Sequence, residues 1–369
     1  MTKKVCKLMA MLLMSLSLCA CGGFKDIDKR FFVVAIAIDE PVNKDKKYRV
    51  TVRLAIPSPE EKFGANSSIF VTEERDSIAE AVRIIKSKID KELDFGHAKA
   101  LIIGESIVKS RNMKEVMDWF IRRRDIQQVG WLAVGSPNAS DVIHAEPKSE
   151  RLPSNMVYLL FGQTGTETAY IVSEYLFDFY RRLTERGLDP IMPIIEPRGQ
   201  NQLSVNKVAL FDKTKQVLVL QPSETKILNT FYQGIGKFDI RVEQDDHYFV
   251  VSAETVKSRF TIKRTAYGKP LISIKMKVVG FVEETDMTEL TRKKIPELEK
   301  AAGQTVTAQA LQLLKKLQKA RVDPVGFGLR YRATHFDTDE AWREWQELYP
   351  DAEFEVFPDI NITSTGVIG

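Results

Sequence analysis

Residues 18–39, LCACGGFKDIDKRFFVVAIAID, contain the change in character on which the fold depends. Two cysteines and two glycines come first, a short charged segment follows, and an apolar run then extends from Phe31 to Ile38. The run has eight residues and is bounded by Arg30 and Asp39. Its length and its β-branched side chains predict a buried strand. The folded body therefore begins about ten residues after Cys21.

Residues 1–20 have the pattern of a secretory signal peptide. Lys3, Lys4 and Lys7 form a basic start, and the segment 8–20 is apolar or small. As a helix rising 1.5 Å per residue, about 13 residues would cover about 20 Å, short of the roughly 30 Å hydrocarbon core. A cleaved signal is therefore favoured over a retained transmembrane helix.

The end of this segment reads Leu18, Cys19, Ala20, Cys21 and Gly22, which resembles the bacterial lipobox. Cys21 is predicted to carry the lipid, as an S-diacylglyceryl group and an N-acyl group such as palmitate. Cys19 fits worse because Leu18 would then precede the modified cysteine, where a small side chain is needed. An ordinary signal peptide with incidental cysteines is the alternative.

The lipobox accounts for every cysteine of the chain. Cys6 and Cys19 would leave with the signal, and Cys21 would become a thioether. The mature chain then has no free thiol, which excludes disulfides, thiol redox chemistry, cysteine nucleophiles and thiolate metal sites.

Other catalytic and metal-binding motifs are missing as well. The sequence contains neither a G-x-S-x-G nucleophile motif nor a P-loop. Four histidines are present, none at the spacing of a zinc site: His97, His144, His247 and His335. We therefore predict no catalytic residue, no cofactor and no metal.

Length and charge describe an ordinary globular protein of several domains. Without its signal the chain has 349 residues, more than one typical core contains. The signal takes three of the 54 basic residues and no acid, which leaves 51 basic against 50 acidic residues. This near-zero balance gives no electrostatic reason to expect nucleic-acid binding.

The order of predicted elements divides the mature chain into three parts. Residues 21–145 read β-β-α-β-α-β, the pattern of an α/β domain. Residues 146–204 form a middle segment or small domain with a linker, and we predict a helix over about 168–186. Residues 205–369 are mostly strands followed by helices, which predicts an α+β domain with an antiparallel sheet and helices on one side. The predicted fold class is thus mixed α/β and α+β, with three domains.

Four blocks of sequence, in this order and spacing, resemble one family along almost the whole chain. They are the lipobox followed by DIDKRFFVVAIAID (26–39), then LDFGHAKALIIGES (93–106), RGLDPIMPIIEP (186–197) and a C-terminal block, which comprises DPVGFGLRYR (323–332), AWREW (341–345) and DINITSTGVIG (359–369). The family is the Ger(x)C family, the C-subunit lipoproteins of bacterial spore germinant receptors. One departure is that Phe24, Lys25 and Asp26 stand where family members usually have a Trp-Asp pair.

The resemblance implies a three-domain mixed α/β lipoprotein without catalytic activity. It implies a membrane location, on the outer face of the spore inner membrane, with the lipid at Cys21 as anchor. It also implies two partners, the integral-membrane A and B subunits, with which the protein would form a nutrient germinant receptor and initiate germination. Two other functions remain open from the residues alone: a solute-binding lipoprotein of a transporter, and an anchored hydrolase.

A few residues have both a structural and a functional interpretation. His97 is interpreted as a turn residue rather than a site residue, and the glycines of Gly326–Gly328 as a close backbone approach rather than a phosphate loop. Trp342 and Trp345 are interpreted as core residues rather than a ligand platform. The run Arg122–Arg124 is interpreted as a solvated helix end, with contact to lipid headgroups or an acidic partner as the alternative.

Overall fold

The computed structural model describes Val5 and residues 29–55, 68–146, 153–162, 168–199, 202–232, 237–244, 246–287, 290, 292–335 and 338–365. Cys21 lies outside these ranges. Within them the chain forms two β-sheets, each packed against helices, which confirms the mixed α/β and α+β fold class.

The first sheet has nine strands in the described ranges, in the spatial order β3-β2-β1-β5-β6-β7-β8-β9, with β4 beside the start of β1. The strands are β1 (Arg30–Asp39), β2 (Tyr48–Ala55), β3 (Ser68–Arg75), β4 (Glu92–Asp94), β5 (Ala100–Gly104), β6 (Trp131–Gly135), β7 (Ile191–Arg198), β8 (Gln202–Phe211) and β9 (Gln216–Leu220). The centre, β1-β5-β6-β7, is parallel, and the outer strands are antiparallel. The predicted β1–β2 hairpin is confirmed.

Helices cover both faces of this sheet. They are α1 (Ile78–Ser87), α2 (Glu105–Ser110), α3 (Met113–Arg122), α4 (Ala139–His144), α5 (Pro153–Gly162) and α6 (Leu176–Thr184). Ile36 and Ile38 of β1 pack toward α1, α2, α3 and α6, whereas Ala35 and Ala37 pack toward α4 and α5. Burial on both faces explains why β1 is a continuous apolar run rather than an alternating one.

The helix predicted over 168–186 is shorter than expected. It begins at Leu176, and residues 168–175 are not helical: the end of this segment, Glu174 and Tyr175, contacts β6 instead. The Leu132 N–H donates to the Glu174 carbonyl at 2.9 Å, and Trp131 forms an isolated bridge with Tyr175. Pairing with a neighbouring strand outweighs the helical pattern of these residues.

The second sheet has four strands in the order β10-β11-β12-β13. Its elements are β10 (Phe238–Gln244), β11 (His247–Arg264), β12 (Pro270–Thr285) and β13 (Glu353–Ile362), with the helices α7 (Pro222–Thr230), α8 (Ile295–Lys319), α9 (Phe327–Thr334) and α10 (Asp339–Leu348). Strands β10 to β12 are antiparallel, and β13 is added in parallel to β12. The inward residues of β12 pack with α8, as the alternation in its sequence predicted.

The β7–β9 end of the first sheet joins the hydrophobic cluster of the second sheet. Val208 and Leu210 of β8 belong to the same buried cluster as Ile274 of β12 and Leu314 of α8. Although β8 and β9 follow residue 205 almost entirely, they extend the first sheet. The division into domains at residues 145 and 205 stays a prediction.

Candidate functional site

The predicted lipid-bearing residue can be placed only by its distance from β1. Nine peptide units connect Cys21 to Arg30, at most about 32 Å when fully extended. The first two sequence blocks lie together at this strand, because β1 and β5 are parallel neighbours with Ala35 opposite Ala100. Any anchor at Cys21 would therefore hold the N-terminal end of β1 near the bilayer.

Contacts close the start of β1 against β4 and the turn after it. Arg30 Nη1 lies 2.5 Å from an Asp94 carboxylate oxygen. Lys91 Nζ lies 5.4 Å from the centre of the Phe31 ring. The rings of Phe32 and His97 meet edge to face at 4.5 Å. His97 thus packs on the strand as a turn residue would.

At the opposite end of β1, Asp39 holds the start of α4. Its carboxylate accepts the N–H groups of Ala139 and Ser140 at 2.6 and 2.8 Å. Burial raises the pKa of this carboxyl, and the two backbone donors offset part of that rise. The last residue of the first sequence block therefore fixes a helix on the second face of the sheet.

The three arginines after α3 have different surroundings. Arg122 pairs with Asp118 at 2.7 Å. Arg123 lies 4.5 Å from the centre of the Phe95 ring and donates from Nε to Asp125 at 2.7 Å. Arg124 is exposed. Two of the three thus have partners inside the protein, which supports the helix-end interpretation for them.

The third and fourth sequence blocks, far apart along the chain, meet in space. We refer to this contact, between Arg186–Pro190 and Asp323–Arg332, as the joint. The Asp189 N–H donates to the Asp323 carbonyl at 2.8 Å, and the Asp323 N–H donates to the Asp189 carboxylate at 2.7 Å. The Leu329 N–H donates to the Gly187 carbonyl at 2.8 Å. The joint thereby connects the end of α6 with the start of α9.

Glycines let the two backbones of the joint approach. Gly187 and Gly326 have φ angles of +79° and +90°, which side chains disfavour. A Cβ on Gly328 would lie 2.5 Å from Trp345 Nε1 and 2.8 Å from the Gly187 Cα. The interpretation of Gly326–Gly328 as a close backbone approach is confirmed.

Asp323 is the polar centre of the joint. Its carboxylate accepts the N–H groups of Gly326 and Gly328 at 2.8 and 2.7 Å, and only 4% of the residue is exposed. Burial raises the pKa of Asp323 to about 7, and the charge of Asp189 adds to the rise. The Tyr349 hydroxyl, also buried, donates to the Val322 carbonyl at 3.0 Å.

A second buried pair supports the joint from the side of α6. Arg182 donates to the carbonyls of Pro324 and Asp189 at 3.1 and 3.3 Å, and its Nε lies 3.3 Å from the Glu174 carboxylate. Burial raises the pKa of Glu174 to about 8, although Arg182 offsets part of the rise. The Tyr232 hydroxyl also donates to the Pro324 carbonyl, at 3.1 Å.

Lys213 brings the first sheet into the same network. Its ammonium group, from the β8–β9 turn, donates to the carbonyls of Arg182, Glu185 and Leu188 at 2.7, 2.7 and 2.6 Å. It also lies 3.0 Å from the Asp189 carboxylate. Asp323 and Lys213 make their hydrogen bonds to groups of the protein, and in this way the joint clamps α6 against α9.

The two tryptophans of α10 differ in burial. Trp345 is 2% exposed and packs against Tyr331 and Tyr349 with ring centres 4.9 and 5.5 Å away. Trp342 is half-buried against the same core. The core interpretation is confirmed for Trp345 and holds for one side of Trp342.

A surface groove of about 460 Å³ between α1 and α3 was not anticipated from the sequence. Lys47, Asp76, Arg111 and Glu115 give it charges of both signs, and Trp119 forms an apolar wall. No spacing in the sequence indicates the groove, because its lining comes from three separate segments.

The described ranges contain neither a cluster of metal ligands nor a membrane-spanning helix. No three His, Cys, Asp or Glu side chains there are grouped to hold a metal ion. None of the helices described combines the length and apolarity that crossing a bilayer requires.

Comparison with known proteins shows two family matches in tandem. Residues 23–197 match the family described as spore germination protein N-terminal domain. Residues 206–366 match the family described as spore germination B3/GerAC-like, C-terminal.

Individual relatives and one solved structure agree with these matches. Spore germination protein B3 of Bacillus subtilis is 24% identical, with 100% of each chain covered. Spore germination protein GerQC of Bacillus cereus is 25% identical over 74% of this chain and 76% of its own. The crystal structure of the GerBC protein has a TM-score of 0.57 at 18% identity and covers 89% of this chain and 96% of its own. The two family matches cover both halves of the chain in order, and the solved structure has the same fold. The chain therefore belongs to the GerAC-like, or Ger(x)C, family of spore germination proteins.

Proposed function

We propose that the protein is a non-enzymatic, lipid-anchored subunit of a nutrient germinant receptor that acts with integral-membrane A and B subunits. Its place would be the outer face of the spore inner membrane. The observation that carries the proposal is the tandem family match, which spans residues 23–197 and 206–366 and so covers both halves of the chain.

The lipid anchor is supported by the sequence around Cys21. Leu18 and Ala20 occupy the positions that a lipobox requires before the modified cysteine, and Gly22 follows it. Two acyl chains bind a membrane stably, whereas a single chain exchanges. We therefore propose that the membrane location depends on Cys21.

A non-catalytic role agrees with how the buried polar groups are used. The pKa values of Asp323 and Glu174 are raised, and Arg182 forms an ion pair with Glu174. Perturbed groups of this kind are common in active sites. Asp323 and Arg182, however, bond to backbone groups of the joint, and Glu174 faces Arg182. Their described partners are structural, and we assign them to holding α6 against α9.

The transporter alternative, a solute-binding lipoprotein, is not favoured. The relatives found are named for spore germination. Three of the four strands of the second sheet, β10 to β12, are antiparallel, unlike the βαβ-rich lobes expected of a transport binder.

The proposal predicts that membrane attachment and germination both require Cys21. Dormant spores producing tagged wild-type protein or Cys21→Ala would be fractionated, and the membrane fraction analysed by mass spectrometry for the lipidated N-terminus and for co-purifying multispan proteins. We expect lipidated wild-type protein with two such partners, and a Cys21→Ala protein that leaves the membrane and does not restore nutrient germination.

Cys6→Ala is the matched control, since its thiol would be removed with the signal. An unlipidated wild-type protein that still pellets with membranes would refute the anchor. Normal nutrient germination without the protein would refute the receptor role.

A further inference from the structure

One face of the second sheet is not covered by any described part of the chain. Residues with even numbers in β12, such as Ile274 and Met276, point into the core. Their odd-numbered neighbours Lys275 and Lys277 are exposed, as are Lys257 and Arg259 on β11. We call this exposed surface of β11, β12 and β13 the open face.

The pairing register brings four cations together on the open face. Lys257 is directly opposite Lys277, and Arg259 is directly opposite Lys275. Directly opposite Cβ atoms in an antiparallel pair are about 5 Å apart, and residues two apart in one strand about 7 Å. The four charges therefore form a compact block in the middle of the sheet.

None of these four side chains has an ion pair or a hydrogen bond within the described ranges. Other cations of this sheet do form ion pairs. Arg264, at the end of β11, pairs with Glu344 at 2.5 Å, and Arg241 on β10 pairs with Glu243 at 3.2 Å. Like charges directly opposite each other destabilise a sheet. The facing cations therefore repel one another, and Asp359, opposite Lys277 on β13, offsets part of that repulsion.

The adjacent strand restricts what can bind there. On β13, Glu355 and Asp359 lie next to the cations, with Phe357, 51% exposed, between them. A uniformly anionic lipid surface would be attracted to the cations but repelled by this row of acids. A protein surface can match both rows and cover the phenylalanine, so charge complementarity favours a protein partner.

We propose that the open face is a docking surface for a partner protein whose carboxylates pair with Lys257, Arg259, Lys275 and Lys277. Phe357 lies at the side of this contact and would be buried by it. The inference does not depend on the germination role, because it rests on register, exposure and charge alone.

The test compares two double variants with the same change in net charge. Lys275→Gln with Lys277→Gln removes half of the block, and Lys300→Gln with Lys315→Gln removes two exposed lysines from α8 as a control. The probe is a short fluorescent peptide with Glu at alternate positions, whose spacing in an extended chain matches the strand. We expect the block variant to bind it about fivefold more weakly, as expected for two exposed charge pairs, and the control to bind like wild type. Added salt should weaken wild-type binding.

Two further measurements make the result decisive. The block variant should melt at or above the wild-type temperature, since removing facing like charges relieves repulsion. Vesicles of phosphatidylglycerol should not discriminate between the block variant and the control. Equal peptide binding by both variants would overturn the proposal, and so would vesicle binding that only the block variant loses, because the open face would then recognise lipid.

Discussion

Trp345 shows how one side chain can hold several segments. Its ring fills the space that Gly328 leaves open and stacks near Tyr331 and Tyr349, so α9, α10 and the turn after α10 meet on it. The i, i+3 spacing of Trp342 and Trp345 was enough to predict a core role. The glycine that receives the ring could not be paired with it from the sequence, because that contact depends on the fold.

At this residue we predict a loss of stability. Trp345→Ala should lower the free energy of unfolding by about 3–5 kcal/mol, the usual cost of removing a large buried aromatic ring. Trp342→Ala should cost less because that side chain is only half-buried. Thermal melting of the purified variants measures both, with exposed Gln346→Ala as the control. A Trp345→Ala protein that melts like wild type would contradict the core role.

At the scale of secondary-structure elements, hydrophobic periodicity and turn residues predicted most helices and strands, but not which of them pack together. The strand predicted from the apolar run Phe31 to Ile38 is β1, and the strands and helices predicted after residue 205 are present as well. The helix predicted to start at residue 168 does not start there, because the contact of Glu174 and Tyr175 with β6 is made by the tertiary fold. The joint was likewise beyond prediction: its two sequence blocks were recognised separately, and no local pattern joins residues more than 130 positions apart.

The joint also predicts a dependence of stability on pH. Burial raises the pKa of Asp323 from 3.8 to about 7, so the folded state keeps a proton that the unfolded chain releases near pH 4. The contribution of Asp323 to stability should therefore fall as the pH rises from about 4 to about 7. Glu174, whose pKa burial raises to about 8, should extend the fall to about pH 8. The charge of Asp189 opposes ionisation of the Asp323 carboxyl, whereas the backbone donors favour it.

Urea unfolding at several pH values measures this contribution. Asp323→Asn should show a weaker fall between pH 4 and pH 7 than wild type, and exposed Asp45→Asn should keep the wild-type profile. Parallel profiles for wild type and Asp323→Asn would mean that the carboxyl titrates normally in the folded protein.

For the whole molecule, the boundary between the two family matches does not separate two independent bodies. It lies near the β7–β8 connection, and β7 pairs with β8 from Ile191 opposite Leu210 to Arg198 opposite Gln202. We predict that a fragment of residues 206–369 will not melt cooperatively, since it would separate β8 from β7 and expose Ala209 and Phe211, which pack in the core of the first half. Calorimetry of the fragment and of the chain from residue 22 tests this, and an intact chain with one transition is expected. Two separate transitions, one reproduced by the fragment, would show that the halves are independent.

The position of β1 also has a mechanical consequence. Tension applied through the N-terminal segment would act along an interior strand, with β2 on one side and β4 and β5 on the other. The load would shear many backbone hydrogen bonds at once, instead of opening them one after another as it would if an edge strand were pulled. A body attached through this strand would distribute a pulling force over its whole first sheet. Unfolding would then not begin at the attachment point.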